Sequence, residues 1–172
     1  MTPPTLPPPT LTTARLTLRP PHLADFERRA ATAATNRALW DEGDIDSAAA
    51  WRLFASGVGQ WPLLGYGPFT VTMGRDYVGE VGLYHPITHP EPELVWSVVP
   101  EAEGLGVAVE AAVAVMAWAR GTLGLHRLVT YVDPEHFRTL ATAMRLGGVV
   151  DERLTAPNPG DLVVVYDLTV PA

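Results

Sequence analysis

The sequence predicts an α/β protein with a mixed, mostly antiparallel sheet. Three observations carry this. β-rich stretches follow one another over residues 69–73, 77–83 and 94–99. A long, almost wholly apolar helical stretch follows at 107–120. The remaining chain alternates strand (128–132), helix (136–146) and strand (162–168). Sequential strands favour antiparallel neighbours, and strand–helix–strand order demands at least one parallel pair.

Taken in order, residues 3–9 are mostly proline, which suits an extended leader over 1–10 ahead of one domain over 11–172. Leu16, Thr17, Leu18 and Arg19 alternate and stop at Pro20-Pro21, a short strand. Residues 22–35 carry helix formers, and Ser47 is placed to cap a helix over 48–55. Gly57, Gly59, Gly65 and Gly67 then break the chain, which leaves Trp61 in a loop-rich stretch. Gly74-Arg75-Asp76 joins the next two strands as a hairpin. The helix over 107–120 holds only Glu110 as a charge before Arg120 and should lie buried against the sheet.

At 172 residues, the chain falls within the roughly 100–200 typical of one domain. Its 47% hydrophobic content supplies a core. A formal charge of -7 argues against nucleic acid and against anionic membrane surfaces as partners. The absence of cysteine removes disulfides, thiolate metal sites and a thiol nucleophile. The first residues lack the basic start and apolar run of a signal peptide. The longest apolar run, 111–119, is far short of the ~20 residues of a spanning helix. A cytoplasmic protein is expected, with no resident metal.

The stretch 94–120 runs strand, Pro100, Gly104-Leu105-Gly106-Val107-Ala108, then helix. A helix start presents free N–H groups and partial positive charge, and glycines let a phosphate approach the backbone. The same glycines would equally serve a tight turn with close helix–sheet packing. A Rossmann fingerprint fails, because Val109 stands where its third glycine would be. A P-loop fails for want of Gly-Lys-Ser/Thr.

The run Glu93-Leu94-Val95-Trp96-Ser97-Val98-Val99-Pro100-Glu101-Ala102-Glu103-Gly104-Leu105-Gly106-Val107-Ala108-Val109-Glu110-Ala111 resembles the acetyl-CoA motif of GNAT N-acetyltransferases. It is most similar to the branch of the ribosomal-protein N-terminal acetyltransferases. The likeness extends through Leu123-Gly124-Leu125-His126-Arg127, Val132-Asp133-Pro134-Glu135 and Arg145-Leu146-Gly147, and back to Val78-Gly79-Glu80-Val81-Gly82 and to residues 11–19. The resemblance implies helices on both faces of a sheet splayed between the family's fourth strand (93–99) and fifth (128–132). It implies that pantetheine pairs with backbone at Val98 and Val99. The pyrophosphate would rest on the amides of Gly104, Leu105, Gly106, Val107 and Ala108. A strand N–H would polarise the thioester carbonyl. A primary amine would attack directly, with acetyl-CoA as cosubstrate. Small members of the family are often homodimers, and the resemblance carries that expectation here.

Four positions depart from the family pattern. Glu103 stands where Gln or Arg is usual, and Leu105 where Lys or Arg is frequent. A carboxylate about 6 Å from a phosphate costs up to about 3 kcal/mol at an effective dielectric near 20, so cofactor affinity is expected to weaken. An acid near a helix start also favours the dipole of the empty protein. His136 and Thr139 replace the family's Asn and Ser; either could hydrogen-bond CoA, and His136 could equally be an exposed residue at a helix start. Gly148 replaces an aromatic, which is expected to thin packing.

The family's acidic Tyr is Ala143 here, which leaves Tyr84, Tyr131 or water to protonate the thiolate. Glu93 and Glu80 are candidates for the base that deprotonates the amine, or are structural charges at strand edges. His85 and His89 are four apart, but Pro86 and Pro90 forbid the helix that would join them at a metal. They would border the acceptor cleft. The tryptophans, Trp40, Trp51, Trp61, Trp96 and Trp118, are expected in the core. Two readings from different classes follow. One is an acetyl-CoA-dependent N-acetyltransferase for a small-molecule or peptide amine; the other is a non-catalytic binding module that keeps the fold and has lost the cofactor. Transfer of a different acyl chain is a third.

Overall fold

The computed structural model describes residues 7–35 and 46–169; Pro3, Pro4 and Trp40 lie outside them. The described elements are β1 (Leu11–Thr12), β2 (Leu16–Arg19), α1 (Phe26–Thr35), α2 (Ser47–Leu64), β3 (Pro68–Met73), β4 (Asp76–Tyr84), β5 (Glu93–Val98), α3 (Val107–Gly121), β6 (Arg127–Val132), α4 (Phe137–Arg145), β7 (Val149–Val150) and β8 (Leu162–Asp167). The strands form one sheet in the order β1-β2-β3-β4-β5-β6-β8-β7. β5 and β6 run parallel, and every other neighbouring pair is antiparallel. The mixed, mostly antiparallel sheet is therefore as the sequence predicts.

Register assigns the faces. Phe69 opposes Val81, and Thr70 opposes Glu80. Successive strand side chains point to opposite faces. Phe69 meets Trp118 of α3 edge-on at 5.3 Å. Glu80 instead meets Arg29 of α1 at 2.6 Å. So α1 and α3 cover opposite faces of the sheet. On the α3 face, Val107, Ala111, Val115, Trp118 and Ala119 bury a continuous stripe at helical spacing against Leu83, Leu94, Leu128 and Val132.

The expected breakage of the chain at Gly57 and Gly59 does not occur. α2 runs unbroken from Ser47 to Leu64, with Pro62 in its last turn, and stops at Gly65, whose φ of 80° is left-handed. Ala50, Phe54, Gly57 and Trp61 recur at helical spacing and are buried. Their packing outweighs the weak helix propensity of glycine. Gly57 is needed for proximity, since a Cβ there would sit 2.8 Å from Pro68 Cγ. Trp61 is thus a core residue, donating Nε1–H to Pro68 O at 3.1 Å and packing on Phe69 and Trp118. The cap of α2 is Asp46, not Ser47: its carboxylate accepts from Ala49 N at 2.6 Å. Trp51, expected in the core, is half exposed and stacks edge-on against Phe26.

Gly148 also differs from expectation. Its place is crowded rather than thin: a Cβ would meet Ala143 O and Tyr166 Cε1 at 2.9 Å, and Val164 Cγ1 closer still. The Tyr166 ring, fully buried, fills this space.

Candidate active site

The parallel ladder between β5 and β6 is a single register pair, Glu93 with Val129. Val129 N donates to Pro92 O at 3.2 Å. One step further, the Leu94 carbonyl accepts from the Thr130 hydroxyl at 2.8 Å instead of from a backbone amide. Tyr166 in turn donates its hydroxyl to Thr130 Oγ1 at 3.1 Å. Beyond this point the strands diverge. Backbone groups alternate sides along a strand, and Leu94 turns its carbonyl towards β6. Trp96 and Val98 therefore aim their N–H and C=O into the gap. Val99 does not, since its N–H donates to Val78 O at 3.0 Å. Of the two residues expected to pair with pantetheine, the structure directs Val98 to the cleft and engages the Val99 amide elsewhere.

The glycine loop stands at the open end of this gap. A 3-10 turn over Pro100–Ala102 leads into it. Gly104 and Gly106 have φ of 76° and 77°, left-handed values that favour glycine. Gly106 is the N-cap of α3 and offers no side-chain cap. The N–H groups of Val107 and Ala108 have no intrahelical acceptor and, with the helix dipole, favour an anion. A Cβ on Gly104 would meet nothing within 4 Å, so the loop backbone is open to approach. Loop, first-turn amides and gap together fit a long cofactor with a diphosphate at one end and amide-bearing chain at the other.

Arg15, in the turn between β1 and β2, holds the loop. Its Nη2 donates to Leu105 O at 2.9 Å, and its Nε to Glu110 Oε2 at 2.7 Å. Thr13 donates to Glu110 Oε1 at 2.6 Å. The Thr13 hydroxyl, with Arg15, holds the Glu110 carboxyl below its ordinary range. Glu110 was conspicuous in the sequence as the one acid of α3; Arg15 carried no comparable signal. Glu103 turns across the cleft to α4, where Arg138 Nη1 lies 2.7 Å from its Oε2. His136 is the N-cap residue of α4 without capping it, and its Nδ1 is 3.5 Å from Asp133 Oδ2. Thr139 lies on the first turn of α4, half-buried.

The α1 face carries the candidate acid–base groups. Glu93 opposes Tyr84 and Val129, so Tyr84, Glu93 and Tyr131 share the face of Glu80. His89 folds over them from the loop after β4. Its Nδ1 is 3.3 Å from Glu93 Oε2, off the axis of a hydrogen bond. Its ring meets Tyr84 and Tyr131 edge-on at 5.7 and 5.2 Å. Burial, then the charges of Glu93 and Glu91, push the Tyr131 phenol up, so it stays protonated near neutral pH. Glu80 is buried beneath Arg29; burial pushes its carboxyl up while the guanidinium opposes this. His85 pairs elsewhere, with Tyr66 Oη 2.7 Å from its Nδ1. Among the described residues no group of three or more His, Cys, Asp or Glu side chains could hold a metal. No described helix is long and apolar enough to cross a membrane.

The model of the acetyltransferase (GNAT) domain matches residues 15–149, more than three-quarters of the chain. The chain belongs to the GNAT acetyltransferase family. Acetyl transfer from acetyl-CoA is the general reaction of GNAT acetyltransferases. An acetyltransferase from Agrobacterium tumefaciens is 37% identical, with 94% of this chain and 95% of that one covered at a TM-score of 0.87. A ribosomal-protein alanine acetyltransferase from Vibrio fischeri shares the fold at 16% identity, covering 92% and 96%, TM-score 0.70. So does a spermidine N-acetyltransferase from Vibrio cholerae, solved with CoA and spermine: 18% identity, 91% and 98%, TM-score 0.70. No curated protein matches.

Proposed function

We propose that this GNAT protein transfers an acetyl group from acetyl-CoA to a primary amine by direct attack. The observation that carries the proposal is the splay after Glu93–Val129, with the backbone of Trp96 and Val98 turned into it beside an open glycine loop. Acetyl-CoA would supply an activated thioester carbonyl. The amides of Gly104, Leu105, Gly106, Val107 and Ala108 would hold its diphosphate, and Val98 would pair with its pantetheine amides. A backbone N–H of β5 facing the gap is a preorganised donor for charge developing on the carbonyl oxygen.

On the acceptor side, Glu93 takes the amine's proton, directly or through water. His89 braces that carboxylate, and Tyr131 is the protonated group next to it, suited to return a proton to the thiolate. Glu80, buried and held by Arg29, acts as an anchor between β4 and α1 rather than as a base. An acidic chain without cysteine suits work in the cytoplasm. The pairing of the Glu103 carboxylate with Arg138 supports this reading over that of a cofactor-blind module, which Leu105 and His136 still motivate. Calorimetric titration with acetyl-CoA tests the proposal. Micromolar binding with saturable thiol release on adding amines is expected; no binding at millimolar cofactor would overturn it.

A further inference from the structure

The glycine loop over residues 103–108 carries no Lys, Arg or His, and its one charged side chain is the carboxylate of Glu103. Among the described residues, the basic side chain paired with Glu103 comes from the opposite wall. Arg138, on the first turn of α4, reaches Glu103 with Nη1 2.7 Å from Oε2. This ion pair joins the loop that follows β5 to the helix that follows β6, across the cleft those strands open. The Arg138 side chain is 84% exposed and Glu103 43%, so the pair is weakly held and readily exchanged. A diphosphate is a stronger acceptor than a single carboxylate, and a guanidinium fork suits it.

We propose that Arg138 is the phosphate-binding cation of this GNAT protein, and that Glu103 is its exchangeable partner, competing with the cofactor's phosphates for the same guanidinium. The inference rests on the acetyl-CoA reading above and adds a ligand from α4 to the backbone amides of the loop. It also explains the carboxylate at the head of the loop. Glu103 holds Arg138 over the cleft and sets a threshold for cofactor entry, since the cofactor must displace it. Arg15 does not fill this role, because Glu110 and the Leu105 carbonyl already engage it. The other charged groups near Arg138 in sequence, Asp133, Glu135 and His136, lie before α4, and Asp133 is turned to His136.

The test is calorimetric titration of CoA into the wild type, Arg138→Gln, Arg138→Lys and Glu103→Gln, at low and moderate salt. Both side chains are exposed, so each variant should melt with the wild type, which is checked first. Arg138→Gln should weaken CoA binding about tenfold at low salt, with the gap narrowing as salt screens it. Arg138→Lys should recover part of the loss. Glu103→Gln should act with the opposite sign and tighten binding severalfold. Pantetheine, which has no phosphate, should show no dependence on either residue. Dephospho-CoA, lacking the 3′-phosphate, locates the contact: a retained Arg138 effect assigns the diphosphate, a lost one the 3′-phosphate. If Arg138→Gln binds CoA as the wild type does, or if Glu103→Gln weakens binding, the pair is only a brace and the proposal is overturned. If no variant binds CoA at all, the acetyl-CoA reading itself falls and takes this with it.

Discussion

Thr130 donates its hydroxyl to the Leu94 carbonyl at 2.8 Å, one step past the single backbone pair that joins β5 to β6. The bond caps the end of the ladder. A buried carbonyl at the edge of a splay needs a donor, and here a side chain supplies it. Tyr166 backs the arrangement from β8, its phenol pushed up to about 12 chiefly by burial. Thr130→Val keeps the shape and removes the donor. It should cost about 1–3 kcal/mol in urea unfolding, because both the Leu94 carbonyl and the Tyr166 hydroxyl lose their partner. Thr130→Ser should recover most of it.

Arg15 braces the loop before α3, whose turn its own glycines make. Arg15→Ala frees the Leu105 carbonyl and releases Glu110. The Michaelis constant for acetyl-CoA should rise, by about threefold to tenfold, with turnover at saturation little changed. Steady-state kinetics with acetyl-CoA as the varied substrate check this.

Asp25 ties the start of α1 to the sheet. Arg19 donates to both its oxygens at 2.7 Å, and the His22 amide and Thr70 hydroxyl donate as well. Burial alone would push this carboxyl up, but Arg19, the His22 amide and Thr70 outweigh it and hold it below the ordinary 3.8. A carboxyl held low in the folded state contributes stability that is full above the unfolded value and is lost as pH falls through the folded one. Asp25→Asn should therefore cost about 2 kcal/mol at pH 7 and progressively less in acid below the ordinary aspartate range. Urea melts across that range, wild type beside variant, show whether the two curves converge.

Gly148→Phe places an aromatic ring directly after Leu146-Gly147. Here it should destabilise the fold by about 1–3 kcal/mol or more, since Ala143 O, Val164 and Tyr166 already fill the space. Paired with Tyr166→Ala, which empties room beside it, the loss should shrink. Thermal melts of the single and double variants measure the coupling.

Most of the strands and α3 were legible because alternation and helical spacing are local signals. The glycine loop was legible for the same reason, since Gly104 and Gly106 adopt the left-handed values that glycine serves. α2 was misread at Gly57 and Gly59 because what holds it helical is contact with Pro68, Phe69 and Trp118, all outside the helix. The Gly148 reading failed similarly: the ring that fills its place comes from β8. Glu93, Glu80 and Tyr131 could be named from the chain, but the division of labour proposed for them could not. It depends on Arg29 reaching Glu80 and on His89 folding over Glu93. Arg138 gave no signal, because its meaning lies in a contact 35 residues away in sequence.

Thiol release from acetyl-CoA on addition of primary amines, in the wild type and in Glu93→Gln, tests the central claim most directly. The account predicts amine-dependent release by the wild type, no release from acetyl-CoA alone, and a fall of about 10²–10⁴ in turnover for Glu93→Gln, eased at high pH where the amine deprotonates unaided. Release that is independent of amine, or an undiminished rate in Glu93→Gln, would contradict it.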